Sequence, residues 1–141
     1  MKKLLFSLVL ISAVSFQAFS QEEIKTNQDT KNIPEIYFEK TTHDYGNIEL
    51  NGNGLCEFTF KNTGNEPLLL TNVKASCGCT TPTWPKEPIK KGETGIIVVK
   101  YNTRIAGAFT KSIRVYSNAK TSLVTLKITG SVSKPVAENN K

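Results

Sequence analysis

Two cysteines separated by one glycine, Cys77-Gly78-Cys79, are the residues of this chain whose types and spacing best support chemistry. A disulfide requires its two Cα atoms to lie about 4.4–6.8 Å apart, and residues i and i+2 of an extended strand lie near or beyond the upper end of that range. A sharp bend is therefore needed, and Gly78 can supply it because glycine tolerates positive φ. The resulting small ring predicts a disulfide that is easier to reduce than an ordinary structural bridge.

The motif is compatible with four states of its thiols. The first is a bridge between Cys77 and Cys79, either structural or redox-responsive. The second is a bridge from one of them to Cys56, because a sandwich can link a strand and a loop across its core. The third is metal ligation, either of Cu(I) by the two thiolates or of zinc by a set that adds Cys56 and His43; the zinc set is disfavoured because its members are dispersed along the sequence. The fourth is free thiols.

Other patterns of catalytic residues are missing from the sequence. His43 is the only histidine, so any Ser/His/Asp set would depend on it, and no serine occupies a Gly-x-Ser-x-Gly elbow. Trp84 has a surface suited to ligand binding, but its position beside Pro82 and Pro85 favours packing over one end of the domain. We therefore predict a protein that is not an enzyme, with no catalytic residues, no bound metal and no cofactor.

The elements that must position the motif are strands, because apolar and polar residues alternate along most of the chain. From Gly54 to Asn62, the side chains of Cys56, Phe58 and Phe60 share one face. Cys56 is therefore expected to point into the core, where a thiol behaves as a small hydrophobe. Further strand candidates span residues 36–38, 45–50, 67–73, 96–99, 113–115 and 123–132.

These strands predict the fold class. No window has the i, i+3, i+4, i+7 pattern of an amphipathic helix. Short strands separated by turn signals such as Asn62-Thr63-Gly64 predict an all-β fold, an antiparallel immunoglobulin-like β-sandwich of about seven strands. A closed barrel is the alternative. The Cys77-Gly78-Cys79 motif follows a strand and is expected on a bent connection at the rim.

The first 20 residues have the features of a secretory signal peptide. A positively charged start is followed by an apolar run, and small residues at 18 and 20 precede a cleavage point between Ser20 and Gln21. The run is shorter than the about 20 apolar residues of a membrane-spanning helix, and the first cysteine, Cys56, lies far from the cleavage point. We expect a periplasmic or secreted protein that is not a lipoprotein and has no transmembrane segment once the signal is removed.

The rest of the chain is expected to form one domain with polar ends. Removal of the signal takes Lys2 and Lys3 and lowers the formal net charge from +6 to +4. The remaining lysines are spread along the chain rather than clustered with aromatic residues, which argues against nucleic-acid binding. The predicted organisation is a signal peptide over 1–20, a flexible leader over 21–33, the sandwich over 34–133 and a flexible tail over 134–141.

Several segments carry a family resemblance: residues 44–48, 58–64, 76–80, 88–89 and 92–101, together with Phe38 and Trp84. On these the chain resembles a large bacterial family of exported domains of unknown function, marked by a Cys-Gly-Cys-Thr motif. These are small immunoglobulin-like modules related in fold to hydin-type and pilus-chaperone-type sandwiches. The resemblance spans about Glu35 to Val132 and does not include Cys56. It implies the fold and export, and it assigns no activity and no catalytic residues.

Two functions from different classes remain open. The first is an exported, non-enzymatic binding or structural module of the bacterial cell envelope, whose partner is another envelope protein held by an edge strand or by end loops. The alternative is a thiol-based protein that handles redox equivalents or a soft metal, copper or zinc, with Cys77 and Cys79.

Overall fold

The computed structural model, which describes residues 32–134 of the chain, has two facing β-sheets. The alternating apolar side chains of their strands point toward each other. Along the third strand buried and solvent-facing residues alternate without interruption, as the sequence predicts. The eight strands are β1 (Ile36–Phe38), β2 (Thr42–Glu49), β3 (Leu55–Asn62), β4 (Leu70–Ala75), β5 (Thr80–Thr83), β6 (Thr94–Tyr101), β7 (Gly107–Ser117) and β8 (Leu123–Ser133).

The order of the strands places the cysteine motif between the two sheets. One sheet has the order β1-β3-β6-β5 and the other has the order β2-β8-β7-β4. β4 and β5 follow each other in sequence and are edge strands of different sheets. The segment that joins them, residues 76–79, therefore crosses from one sheet to the other, and it contains both cysteines of the motif.

The inward side chains of both sheets form one core. Burying a Phe, Leu or Ile side chain contributes about 1.5–3 kcal/mol, and Phe58 and Phe60 are among the fully buried residues. Cys56 is 5% exposed and lies in this core, as its position in the alternating pattern predicts. The other core residues are Ile36, Phe38, Leu68, Leu70, Val73, Ile97, Val99, Tyr101, Phe109, Ile113, Val115, Ala119, Leu126, Ile128 and Val132.

Three details differ from the sequence-based expectation. The structure has eight strands rather than about seven, because Thr80–Thr83 pairs with β6 as a short edge strand. β2 runs parallel to β8, so the predicted antiparallel arrangement is wrong for this one pair; residue alternation carries no information about strand direction. The alternative of a closed barrel is wrong because the strands form two separate sheets.

One end of the sandwich is organised around Asn62, whose side chain is fully buried. Its Oδ1 atom accepts hydrogen bonds from the backbone N–H groups of Gly64 at 3.0 Å and Glu35 at 3.4 Å. Its Nδ2 atom donates to the carbonyl oxygens of Glu66 at 2.7 Å and Ile89 at 2.9 Å. This side chain therefore bonds four backbone groups and ties together three segments, at residues 35, 64–66 and 89.

The predicted signal peptide, its cleavage point between Ser20 and Gln21, and most of the predicted leader and tail lie outside the described residues. Within residues 32–134 no helix is long and apolar enough to cross a lipid bilayer.

Candidate functional site

The Sγ atoms of Cys77 and Cys79 are joined in a disulfide, and the Cα atoms of the two residues lie 5.3 Å apart. The N–H of Thr80 donates to the carbonyl oxygen of Cys77 at 3.3 Å, which closes a four-residue turn with Gly78 and Cys79 at its centre. The N–H of Asn102 donates to the carbonyl oxygen of Cys79 at 2.8 Å and fixes the turn to the end of β6. Of the four thiol states compatible with the sequence, the structure has the first.

The predicted mechanism for the bend is wrong. Gly46, Gly92 and Gly107 have positive φ, whereas Gly78 does not. A Cβ atom at Gly78 would meet no atom within 4 Å. The hydrogen-bonded turn brings the cysteines together with ordinary backbone angles, and the absence of a side chain at the exposed Gly78 leaves the outer surface of the turn uncovered.

Thr80, the first residue of β5, places a buried hydroxyl beside the disulfide. The residue is 4% exposed, and its Oγ1 atom lies 3.7 Å from Sγ of Cys77 and 3.8 Å from Sγ of Cys79. Thr80 faces inward because it is paired with Tyr101 of β6, which is itself a core residue. Sulfur in a disulfide is a weak hydrogen-bond acceptor, so this hydroxyl has only weak partners while the bond is intact.

An open cleft of about 680 Å³ lies beside the disulfide at this end of the sandwich. It is formed by the β2–β3 turn, the β4–β5 turn and the start of the β6–β7 loop, with β3, β5 and β6 contributing the residues at their ends. Cys79 and Gly78 belong to its wall. The other lining residues are Asn51, Gly52, Asn53, Gly54, Leu55, Thr81, Lys100, Tyr101, Asn102, Thr103 and Arg104.

Hydrogen bonds between the loops hold the cleft in shape. Asn51 donates from its N–H to the carbonyl oxygen of Thr103 at 3.1 Å, and Oγ1 of Thr103 donates to the carbonyl oxygen of Gly52 at 2.8 Å. The N–H of Tyr101 and the hydroxyl of Tyr45 both reach the carbonyl oxygen of Gly54 at 2.8 Å. The cleft is therefore preformed rather than assembled from free loops.

The wall of the cleft is cationic. Lys100 and Arg104 line it, and none of the described residues that line it is a carboxylate. Both side chains are exposed, so their charges act through water and attract an approaching anion without a large cost of desolvation. The cleft therefore combines one cysteine of the disulfide with positive charge.

Cys56, the third cysteine, is free and points away from this cleft into the core. Burial raises the pKa of its thiol, an effect that a hydrogen bond with Tyr45 partly offsets. Burial also raises the pKa of the Tyr45 hydroxyl, which donates to the backbone of Gly54. Cys56 is therefore a neutral thiol near pH 7, and the sequence-based bridge from it to Cys77 or Cys79 is not formed.

The zinc set considered from the sequence is not formed either. Two of the three thiolates it needs are joined in the disulfide, and His43 lies in β2 in a T-shaped contact with Tyr45, the ring centroids being 4.4 Å apart. Within residues 32–134, no group of three or more His, Cys, Asp and Glu side chains is placed to hold a metal ion.

Trp84 packs against the core, as predicted, and also lines a second, apolar groove on the outer side of the β5–β6 sheet. The Nζ atom of Lys86 lies 3.0 Å from the centroid of its ring. The groove has a volume of about 520 Å³ and includes the outward side chains of Ile96 and Val98. Its remaining lining residues are Thr83, Pro85, Ile89, Thr94 and Gly95.

Sequence reasoning missed Thr80, Lys100 and Arg104. The signal for Thr80 is its place directly after the motif, and the signal for the cleft is the run of Asn and Gly residues at 51–54. Lys100 and Arg104 carry no local signal, because they share a cleft with Cys79 only after β5 has paired with β6.

Comparison with known proteins gives a family and a fold. A family model described as "Protein of unknown function (DUF1573)" matches residues 36–132, which is most of the described chain. No curated protein matches the chain.

Solved structures share the architecture at low sequence identity. A protein of unknown function from Porphyromonas gingivalis W83 gives a TM-score of 0.65 at 16% identity, over 72% of this chain and 48% of that one. The ASH/PapD-like domain 7 of human CEP192 gives 0.62 at 6% identity, over 74% and 89%. The CupB2 chaperone of Pseudomonas aeruginosa gives 0.51 at 10% identity, over 69% and 55%. The fold is thus an immunoglobulin-like, PapD-like sandwich, and the chain spans about half the length of the Porphyromonas protein.

Proposed function

The chain belongs to the DUF1573 family, whose function is unknown, and on that premise we propose a function from the geometry of the cleft. The chain is an exported, non-enzymatic module of the bacterial cell envelope, and it binds another envelope protein in the cleft beside the Cys77–Cys79 disulfide. The observation that carries this proposal is the preformed, open and cationic cleft at one end of the sandwich.

Preorganisation supports a binding role. Because Thr103 and Tyr101 tie the cleft-forming loops together by hydrogen bonds, a partner does not have to order them, and the entropic cost of association is correspondingly lower. The volume of about 680 Å³ is in the range of clefts that hold several side chains or a small ligand. Leu55, which is 51% exposed at the cleft, offers an apolar contact beside the charges.

The edge of β5 is poorly suited to the other route of partner binding, the addition of a strand. Antiparallel bonding alternates along a strand, and the bond from Asn102 to Cys79 directs the backbone groups of Thr80 and Pro82 toward the free edge. Pro82 has no N–H, and the N–H of Thr80 is already bonded within the turn. This edge therefore offers carbonyl acceptors but no donor.

The edge of β2 is also interrupted. The register between β2 and β8 shifts between Asp44 and Asn47, and the N–H of Gly46 bonds back to Oδ1 of Asp44 at 2.9 Å. Bulges of this kind disrupt regular pairing at sheet edges. Two of the four edge strands, β5 and β2, are therefore poorly suited to strand addition, which supports the end loops as the binding surface.

Export is supported by two independent features. The first 20 residues have the pattern of a signal peptide. A disulfide between two cysteines of one turn persists in an oxidising compartment. We expect the intact mass of the protein purified from the cell envelope to correspond to a chain that begins at Gln21. Alkylation of the denatured, unreduced protein should modify one thiol, and alkylation after reduction should modify three.

A photoreactive amino acid placed in living cells tests the binding site. We expect substitution at Leu55, in the cleft, to give a covalent adduct with one envelope protein, and substitution at Leu123, which is similarly exposed at the opposite end of the sandwich, to give none. The double change Lys100→Glu with Arg104→Glu should remove the adduct. Equal adducts at both positions, or no adduct at position 55, would overturn the proposal.

A second function, thiol exchange, is favoured by one specific observation, namely that Cys79 forms part of the wall of the cleft. A bound partner would therefore lie directly against the disulfide.

A further inference from the structure

We propose that the cleft directs thiol–disulfide exchange: a cysteine thiolate in an acidic polypeptide segment attacks Sγ of Cys79, and the hydroxyl of Thr80 stabilises the thiolate that leaves from Cys77. This inference rests on the proposed function, because it assigns a chemistry to the partner bound in the same cleft.

Access selects which sulfur is attacked. Cys79 and Gly78 line the cleft, whereas Cys77 is not among its lining residues. The rate and direction of exchange depend on which sulfur a thiolate can reach. A nucleophile held in the cleft therefore meets Cys79, and the electron pair of the broken bond goes to Cys77. Gly78 has no side chain that would obstruct the approach.

Thr80 is placed to favour this step. Its hydroxyl lies 3.7 Å from Sγ of Cys77 and is buried away from water. While the disulfide is intact the hydroxyl faces a weak acceptor, but after exchange it faces a thiolate, and a hydrogen bond to a charged acceptor is about twice as strong as one to a neutral acceptor. Thr80 therefore stabilises the product more than the starting disulfide.

Charge defines the class of substrate. Lys100 and Arg104 line the cleft with no carboxylate among the described lining residues, so an acidic segment is attracted and a basic one is repelled. Positive charge near an incoming cysteine also lowers its pKa and increases the fraction present as thiolate. The charge of the cleft thus fits a cysteine flanked by Asp or Glu.

The exchange balances without a further reagent. The partner's thiolate forms a new S–S bond to Cys79 while the Cys77–Cys79 bond breaks, which leaves a mixed disulfide and a thiolate on Cys77. A second thiolate of the partner, attacking the partner's own sulfur in the mixed disulfide, then releases Cys79 as a thiolate. In total the partner's two thiols lose two electrons to form its disulfide, the Cys77–Cys79 disulfide gains them, and the two protons released from the partner's thiols are available to Cys77 and Cys79.

Two synthetic peptides test the proposal on the mature chain under anaerobic conditions. Both contain a single cysteine, one flanked by glutamates and the other by lysines, and each rate of mixed-disulfide formation is divided by that peptide's rate with bis(2-hydroxyethyl) disulfide, which carries no charge. We expect the acidic peptide to react about tenfold faster after this correction at low ionic strength, with the preference falling as salt is added. Rapid alkylation, digestion and mass spectrometry should find the peptide on Cys79 and the alkyl group on Cys77. Equal corrected rates, or the peptide on Cys77, would overturn the proposal.

Variants of threonine test the role of the hydroxyl. Thr80→Val keeps the shape of the side chain and should slow exchange about tenfold, the amount expected for a lost hydrogen bond to a charged group, while Thr80→Ser should restore most of the rate. Thr83→Val, an exposed position on the same strand outside the cleft, is the matched control and should leave the rate unchanged. A folded Thr80→Val protein with the wild-type rate would contradict this role. Should that variant fail to fold, a Thr80→Ser rate more than tenfold below the wild type would contradict it equally.

The in-cell adduct at position 55 separates this inference from the proposed function. An adduct in cells without exchange in the peptide experiment would overturn the chemistry and leave the binding site in place. Exchange with the acidic peptide but no adduct in cells would overturn the envelope partner and leave the chemistry in place.

Discussion

The two ends of the sandwich use their polar residues in opposite ways. At the end where β3 finishes, Asn62 is fully buried and both polar atoms of its side chain are bonded to backbone. At the end where β3 begins, Asn51, Asn53 and Asn102 are exposed around an open cleft, and a disulfide forms part of its wall. The first arrangement closes the domain, while the second leaves groups available to another molecule.

The difference separates residues that serve the fold from residues that are free to serve a partner. A buried amide must satisfy all of its hydrogen bonds or cost stability, so Asn62 has no capacity left for a ligand. The side chains of Asn53 and Asn102 form hydrogen bonds within their own loops. Oδ1 of Asn53 accepts from the N–H of Leu55, and Oδ1 of Asn102 accepts from the N–H of Arg104. These short bonds shape the loops and leave their outer surfaces open.

Replacement of Asn62 is expected to have the largest effect on stability. Asn62→Ala removes four hydrogen bonds and leaves the buried N–H of Gly64 without its partner, so we expect a loss of about 3–5 kcal/mol in the free energy of unfolding. Asn102→Ala, at the opposite end, should cost less than about 1 kcal/mol because its side chain is exposed. Urea unfolding of both variants measures the difference, and similar losses in the free energy of unfolding would contradict the comparison between the two ends.

A pair of glycines sharpens the comparison within the cleft itself. A Cβ atom at Gly54 would lie 2.3 Å from the carbonyl oxygen of Tyr101, whereas one at Gly78 would meet nothing within 4 Å. We expect Gly54→Ala to cost about 2–3 kcal/mol through forced backbone displacement and Gly78→Ala to change stability by less than about 0.5 kcal/mol. Thermal and urea unfolding provide the measurement, and a severe loss in Gly78→Ala would contradict our view of the turn.

Removal of the disulfide should have a smaller effect than either Asn62→Ala or Gly54→Ala. The ring closed by Cys77 and Cys79 spans two residue steps, and loop-closure entropy predicts about 1.5 kcal/mol for so short a loop. The Cys77→Ser, Cys79→Ser protein should therefore stay folded, with an unchanged circular dichroism spectrum and a slightly lower urea midpoint. If the double variant unfolds, the disulfide is chiefly structural, and the end that carries it serves the fold as the Asn62 end does.

A change of pH should have the smallest effect. Burial raises the pKa of Cys56, so the folded state keeps this proton at a pH where the unfolded state releases it. The contribution of this thiol to the free energy of unfolding is therefore fully present below the ordinary thiol pKa, and it is lost as the pH rises past about 9. Between pH 8 and pH 9.5 we expect a loss of about 1 kcal/mol by urea unfolding. The Cys56→Ala protein, although less stable overall, should lose this pH dependence, and a slope that persists in it would assign the effect to another group.

The regular strands could be predicted from the sequence because their alternation is uninterrupted. Cys56, Phe58 and Phe60 occupy the same face of β3 and all three are buried. Asn62 continues the same parity, so its burial was also implied by the pattern, although its amide and the following glycine led us to expect only a turn. β5 was not predicted, because four residues that include Pro82 are too few and too irregular to show a period.

The site could be predicted only as far as local sequence determines it. The spacing allows the disulfide as one of four thiol states, and the wrong expectation of positive φ at Gly78 shows that spacing does not reveal how a bend is made. The cleft depends on loops that are distant in sequence and meet through the pairing of β6 with both β3 and β5. The positive charge that Lys100 and Arg104 give to the cleft therefore depends on the fold and cannot be predicted from local sequence.

The position of the disulfide on the crossing between two sheets has one more consequence. The bond spans neighbours in one continuous peptide, so when it opens, β4 and β5 keep their pairing with β7 and β6 and remain joined by the same segment. In the exchange that we propose, two electrons would therefore be taken up at this corner while the strand pairing is kept. Under that proposal the domain is a reusable electron carrier whose fold does not depend on the redox state of its disulfide.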